Sequence, residues 1–108
     1  MKVYAVIENW DNGEEYEDRS NGSSAIAIAA SEELAKEQIE LRKLDLYAKA
    51  NKSGEEYTVR ELNEVEGWEK GICGLRFDAG MCSDIFSTYS CGTDIFWWEI
   101  QEFELIES

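Results

Sequence analysis

The sequence predicts an α+β fold: an antiparallel sheet of about five or six strands, one long helix packed on one face, and the two chain ends paired as neighbouring strands. Three observations predict it. Residues 31–52 (SEELAKEQIELRKLDLYAKANK) form the one stretch long enough for a core-spanning helix, about 33 Å at 1.5 Å per residue. The rest divides into short β-rich pieces punctuated by Asn-Gly and Gly turns. The 108 residues are 44% apolar, enough for one core in a single domain over residues 1–108.

Taken in order, Lys2–Trp10 (KVYAVIENW) opens the chain. Val3, Ala5 and Ile7 alternate with Tyr4, Val6 and Glu8, and both phases begin apolar, which predicts a central strand. Asn12-Gly13 is a strong two-residue hairpin signal, and a second Asn-Gly stands at 21–22. The reading is a three-stranded meander over residues 2–10, 14–19 and 24–29.

The helix follows at once. Ser31 is placed as N-cap, with Glu32 and Glu33 in the first turn and Lys43, Lys49 and Lys52 toward the other end. Gly54 is the expected stop. Ala35, Ile39, Leu46 and Ala50 share one face. Leu34, Leu41, Leu44 and Ala48 make a second apolar stripe, and Lys36, Glu40 and Lys43 a polar ridge. The second stripe is either covered by later chain or free as a partner seam.

Thr58-Val59-Arg60-Glu61 fits a capping box and predicts a short helix over 59–66; a strand over 57–62 is the competing reading. Residues 68–92 read as short strands between turns. Asp94–Glu107 (DIFWWEIQEFELIE) is the best strand, paired with the first. Phe96, Trp98 and Ile100 hold one phase while Phe103 and Leu105 hold the other, which predicts a β-bulge near Gln101-Glu102. Trp97 and Trp98 must point to opposite faces, one of them into the core.

The 24 acidic against 10 basic residues leave a net charge of −14. Such a chain repels nucleic acid and anionic membranes and is drawn to basic surfaces. No signal-peptide pattern and no membrane-length apolar run is read, and three cysteines point to reduced thiols in a cytoplasm. Histidine is absent, which removes the commonest general base and the Ser-His and Cys-His nucleophile pairs. A two-carboxylate hydrolase remains conceivable, but so many acids give pairs by chance, and the expectation is no enzyme and no catalytic residue. Cys73, Cys82 and Cys91 lack the close pair that zinc sites use and read as packed thiols. DNGEEYED lacks calcium-loop order, and no phosphate-binding glycine motif is present. No metal and no cofactor are expected.

The charge of the first hairpin is the most informative feature. With Asn12-Gly13 as the turn, Asp11 faces Glu14 and Glu8 faces Glu17, and like charges directly opposed weaken pairing. One reading is a solvated acidic loop. The functional one is a negative ridge of Glu8, Asp11, Glu14, Glu15, Glu17 and Asp18, with Trp10 and Tyr16 as aromatic anchors for a basic partner. Glu99, Glu102, Glu104 and Glu107 extend the ridge if the last strand pairs with the first.

Three stretches, MKVYAVIENWDNGEEYED, AIAIAASEELAKEQIE and WEIQEFELIE, resemble small proteins encoded by phages and prophages. The resemblance covers about half the chain, and residues 57–92 depart from it as an insertion. It implies a sheet built from both termini with a helix after the hairpin. It also implies, by analogy of class with anti-CRISPR proteins, an inhibitor that mimics nucleic acid. The expectation is therefore a non-enzymatic acidic protein in the host bacterial cytoplasm that blocks a basic surface of a host defence protein such as a CRISPR effector. It binds no nucleic acid or membrane itself. The alternative is a homodimeric assembly module whose charge serves solubility.

Overall fold

The computed structural model describes residues 1–12, 21–52, 56–62, 71–79, 86 and 92–106. Strands β1 (Lys2–Asp11) and β2 (Asn21–Ala29) precede helix α1 (Glu32–Lys52), and β3 (Thr58–Glu61), β4 (Cys73–Asp78) and β5 (Thr93–Glu104) follow it. They form one antiparallel five-stranded sheet in the order β2-β1-β5-β4-β3, with α1 packed across one face. The terminal strands pair as expected, in unbroken register from Lys2 opposite Glu104 to Asp11 opposite Ile95.

The helix forms where its caps and apolar spacing place it. The Leu34 amide donates to the Ser31 hydroxyl oxygen at 3.2 Å, which satisfies one of the orphan donors of the first turn. Ala35, Ile39, Leu46 and Ala50 are buried against Val6, Leu75, Phe77, Phe96 and Trp98. Phe77 anchors the aromatic part of this core, with ring centroids 4.9 Å from Phe86 and 5.7 Å from Tyr47 in edge-to-face geometry. The second stripe stays outside: Leu34, Leu41 and Leu44 are exposed.

Three expectations are corrected. Residues 58–61 are a strand, not the start of a helix: Val59 lies opposite Phe77 in the β4 ladder, and the β-branched Thr58 and Val59 gain more from that pairing than from a local cap. No bulge interrupts β5 at Gln101-Glu102. Phe103 sits on the sheet face away from the helix and is 49% exposed, so no extra residue is needed to bring it inward. The register shift lies instead between β1 and β2, where Val6 faces Ala27 and Ile7 faces Ala25, leaving Ile26 as the additional residue. The third concerns the hairpin. The strand expected over 14–19 and its Asn12-Gly13 turn fall largely outside the described residues. The positions they would fill are taken, because Asp11 lies between Asn21 and Ile95, and Glu8 between Ser24 and Trp98.

The described parts of residues 57–92 supply β3 and β4 of this same sheet. Gly54, Cys82, Cys91 and, apart from Phe86, the strand expected over 83–90 lie outside the described residues. Trp98 is fully buried, and Trp97, half-buried, takes the opposite face.

The two sides of α1 differ in energetic weight. Leu46→Ala, at a side chain 1% exposed, is expected to lower the unfolding free energy by about 2–5 kcal/mol. Leu44→Ala, at a side chain 64% exposed, is expected to change it by no more than about 0.5 kcal/mol. Urea titrations of the two variants check this.

Candidate functional site

The expected site residues separate in the structure. Glu8 belongs to the β1 phase Tyr4, Val6, Glu8, Trp10, which faces the helix. It is only 5% exposed and therefore does not stand on an outward acidic ridge. Its carboxylate takes a two-pronged grip from Arg42 of α1, Nε to Oε1 at 2.7 Å and Nη2 to Oε2 at 3.2 Å. The Trp98 indole N–H donates to Oε1 at 3.0 Å. A buried carboxylate needs such partners, because desolvation otherwise costs several kcal/mol.

Trp10 is also committed to packing. Its ring lies against Gly22 of β2, where an added Cβ would stand 2.5 Å from the ring atom Cζ2. Asp11 and the buried Asn12 and Asp94 border the same end of the sheet. With Glu8, Trp10 and Arg42 they line a cavity of about 170 Å³, walled by Phe86 and Phe96. That is smaller than the roughly 300 Å³ where small-molecule sites begin. Glu14, Glu15, Tyr16, Glu17 and Asp18 lie outside the described residues.

Glu102 and Glu104 do not extend the ridge, and Glu107 lies outside the described residues. Antiparallel pairing sets Glu102 and Glu104 beside Tyr4 and Lys2, about 23 and 30 Å along β1 from Asp11. Each is tied to a cation there: Lys2 Nζ to Glu102 at 2.9 Å and the terminal amine to Glu104 at 3.1 Å. Glu99 accepts from Asn9 at 3.4 Å on the face away from the helix.

Three of the described carboxylates stand together on the outside of α1. Glu33, Glu37 and Glu40 line one shallow groove together with Lys36, Leu41 and Leu44, with a volume of about 400 Å³. Leu34 lies beside it on the same solvent-facing side of the helix. Lys36 approaches Glu32 at 3.6 Å and Lys43 approaches Glu40 at 3.2 Å. The groove is therefore acidic with an apolar floor, the composition of a surface that meets basic and apolar groups together.

A second polar cluster is buried under the other flank of α1. The Lys43 side chain is largely covered and meets the Cys73 thiol as well as Glu40, so it leaves the exposed polar ridge expected for it. Burial alone would lower the Lys43 pKa, but Cys73, Glu40 and Glu61 more than offset this and hold it above its ordinary value. Burial pushes the Cys73 thiol up, with Lys43 opposing. Burial and then Glu61 raise Tyr47. A buried thiol held protonated is a weak nucleophile, which fits the packing role read for Cys73. Among the described residues no group of three His, Cys, Asp or Glu side chains is arranged to hold a metal ion. No described helix is long and apolar enough to cross a membrane.

The sequence reading missed Arg42, although a signal for it existed. Residues 35, 39, 42, 46 and 50 follow one helical face, and Arg42 is the single charge in that series. Comparison with protein-family models, curated proteins and solved structures finds no match to this chain.

The cluster around Lys43 fixes a pH dependence. All three groups have folded pKa values raised above ordinary values of 9.0 for Cys73, 10.0 for Tyr47 and 10.5 for Lys43. Their stabilising contribution is therefore complete below pH 9.0 and is lost as pH climbs through the higher folded values. The urea midpoint is expected to hold up to about pH 9 and to fall as pH rises further toward about 11, and to fall less in Cys73→Ala. A midpoint that stays level or rises over that range would show that the cluster does not couple to folding.

Proposed function

We propose that the protein is a non-enzymatic acidic binding protein that occupies the basic, nucleic-acid-handling surface of a partner. The partner chemistry is that of a CRISPR-type defence effector in a bacterial cytoplasm, the target a phage-encoded inhibitor would block. The observation that carries this reading is the outer side of α1, where Glu33, Glu37 and Glu40 share a groove with exposed Leu41 and Leu44. Within a chain of net charge −14, that groove sets three carboxylates against the single ammonium of Lys36, with apolar contacts beside them.

The spacing suits mimicry of a nucleic-acid strand. Glu33 to Glu40 spans about 10 Å of helix rise, close to three nucleotides at 3.4 Å per step of one strand. Carboxylates held on a helix are pre-organised, so few rotamers are lost when Lys and Arg side chains of the partner close on them. Leu34, Leu41 and Leu44 supply apolar area that a phosphate backbone does not offer, and this adds affinity without added charge. The hairpin acids Glu14, Glu15, Glu17 and Asp18, with Tyr16, Trp10 and Asp11, are a second set to weigh in the same assay.

The experiment is inhibition of DNA binding by a guide-loaded CRISPR effector, titrated with this protein at about 50 and 200 mM salt. Inhibition is expected to weaken at least tenfold at the higher salt. It is also expected to weaken about tenfold or more in the triple variant Glu33→Gln, Glu37→Gln, Glu40→Gln. The matching hairpin variant Glu14→Gln, Glu15→Gln, Glu17→Gln reports whether the second set contributes. Inhibition that is level across salt, or no inhibition at any concentration, contradicts the reading.

A further inference from the structure

We propose that β2 is a self-association edge: two copies pair their β2 strands antiparallel across a two-fold axis and join two sheets into one. The two edges of the sheet are built differently. β3, at one edge, is a short strand, Thr58–Glu61, carrying Arg60 and Glu61. Brevity and charge are the usual defences of an exposed edge. β2, at the other edge, runs from Asn21 to Ala29 and carries no charge at all. The uncharged run extends through Ser31 and is the longest in the chain. Among the described residues β2 has a strand neighbour, β1, on one side only.

Three features select a second copy as the occupant. The first is charge exclusion. Two bodies of net charge −14 repel each other over most of their surface, and the neutral β2 edge is where they approach at least electrostatic cost. The second is the charge order of α1, which packs above this edge against Ala27 and Ala29. Its first half carries Glu32, Glu33, Glu37 and Glu40, while its last turn carries Lys49 and Lys52. A two-fold axis normal to the sheet sets the two helices antiparallel, so the acidic half of one copy lies toward the basic end of the other. The third is apolar continuity. Ile26, the additional residue at the β2 irregularity, lines a groove of about 410 Å³ with Leu41 and Leu44 between helix and strand. A bulge commonly bends an edge away from pairing; this one places an exposed isoleucine beside two exposed leucines. Such an isologous contact closes on itself as a dimer and adds main-chain hydrogen bonds to the apolar burial.

This inference stands apart from the partner reading, and salt separates the two. Raising salt weakens a basic partner's grip but screens the repulsion between two acidic copies, so self-association strengthens. The test is sedimentation equilibrium at about 100 µM in about 50 and 500 mM salt, with hydrogen exchange of the β2 amides on the same samples. The expected result is a dimer that tightens at least threefold with salt and slows exchange over Asn21–Ala29. Ile26→Glu is expected to make the protein monomeric while it stays folded, because this side chain is exposed. Lys49→Glu with Lys52→Glu is expected to weaken the dimer about tenfold. A monomer at every concentration and salt overturns the proposal. So does a dimer that leaves β2 exchange fast, or one that Ile26→Glu does not disturb.

Discussion

The structure depends on one buried interaction, the grip of Arg42 on Glu8 with the Trp98 indole closing the remaining side. Three elements meet there: the helix, the first strand and the last. Each contributes a group that is costly to bury alone and acceptable to bury together. The contact also fixes register. A one-residue slip of β1 would turn Glu8 out to solvent and bring Ile7 against Arg42, leaving a guanidinium in the interior without its partner. Helix position, strand phase and the pairing of the chain ends are thus tied through a single carboxylate.

Much of this was legible in the residues. The N-cap at Ser31, the buried series Ala35, Ile39, Leu46 and Ala50, and the pairing of the first and last strands follow from helical and strand periodicity. Those patterns are long enough for local preference and burial to agree. The interruptions of the patterns were legible too, though only as a pair. Glu8 breaks the apolar phase of β1 and Arg42 breaks the apolar face of α1. Opposite charges that violate two facing patterns are best explained as partners. Read alone, Glu8 joins a run of nearby acids and points to an outward ridge. Residues 58–61 failed for a different reason: a capping box is a local signal worth about 1 kcal/mol, and the ladder opposite β4 outweighs it. The irregularity at Ile26 carried no local signature, since alternation of Ala and Ile in residues 25–29 is compatible with either face.

Charge is divided between structural and outward roles. Glu8 and Asp94 are buried. Glu102 and Glu104 are occupied with the cations of the first residues. The helix exterior keeps Glu33, Glu37 and Glu40 beside apolar side chains, while β2 is kept free of charge. The acidic surface for a basic partner and the neutral edge for self-pairing adjoin on the same helix-and-strand unit. Leu41 and Leu44 form the divide between them. Joined through β2, two copies would display two acidic grooves at a fixed separation, and binding at one would raise the effective concentration at the other.

The most direct measurement of the central claim is a double-mutant cycle between Glu8 and Arg42, read from urea unfolding of Glu8→Leu, Arg42→Leu and the pair. Each single replacement is expected to cost about 3–5 kcal/mol, and the double replacement less than their sum by about 2 kcal/mol or more, because each single change strands the other's charge. Costs that simply add would contradict the account: Glu8 and Arg42 would then be neighbours in space that do not hold the helix to the sheet.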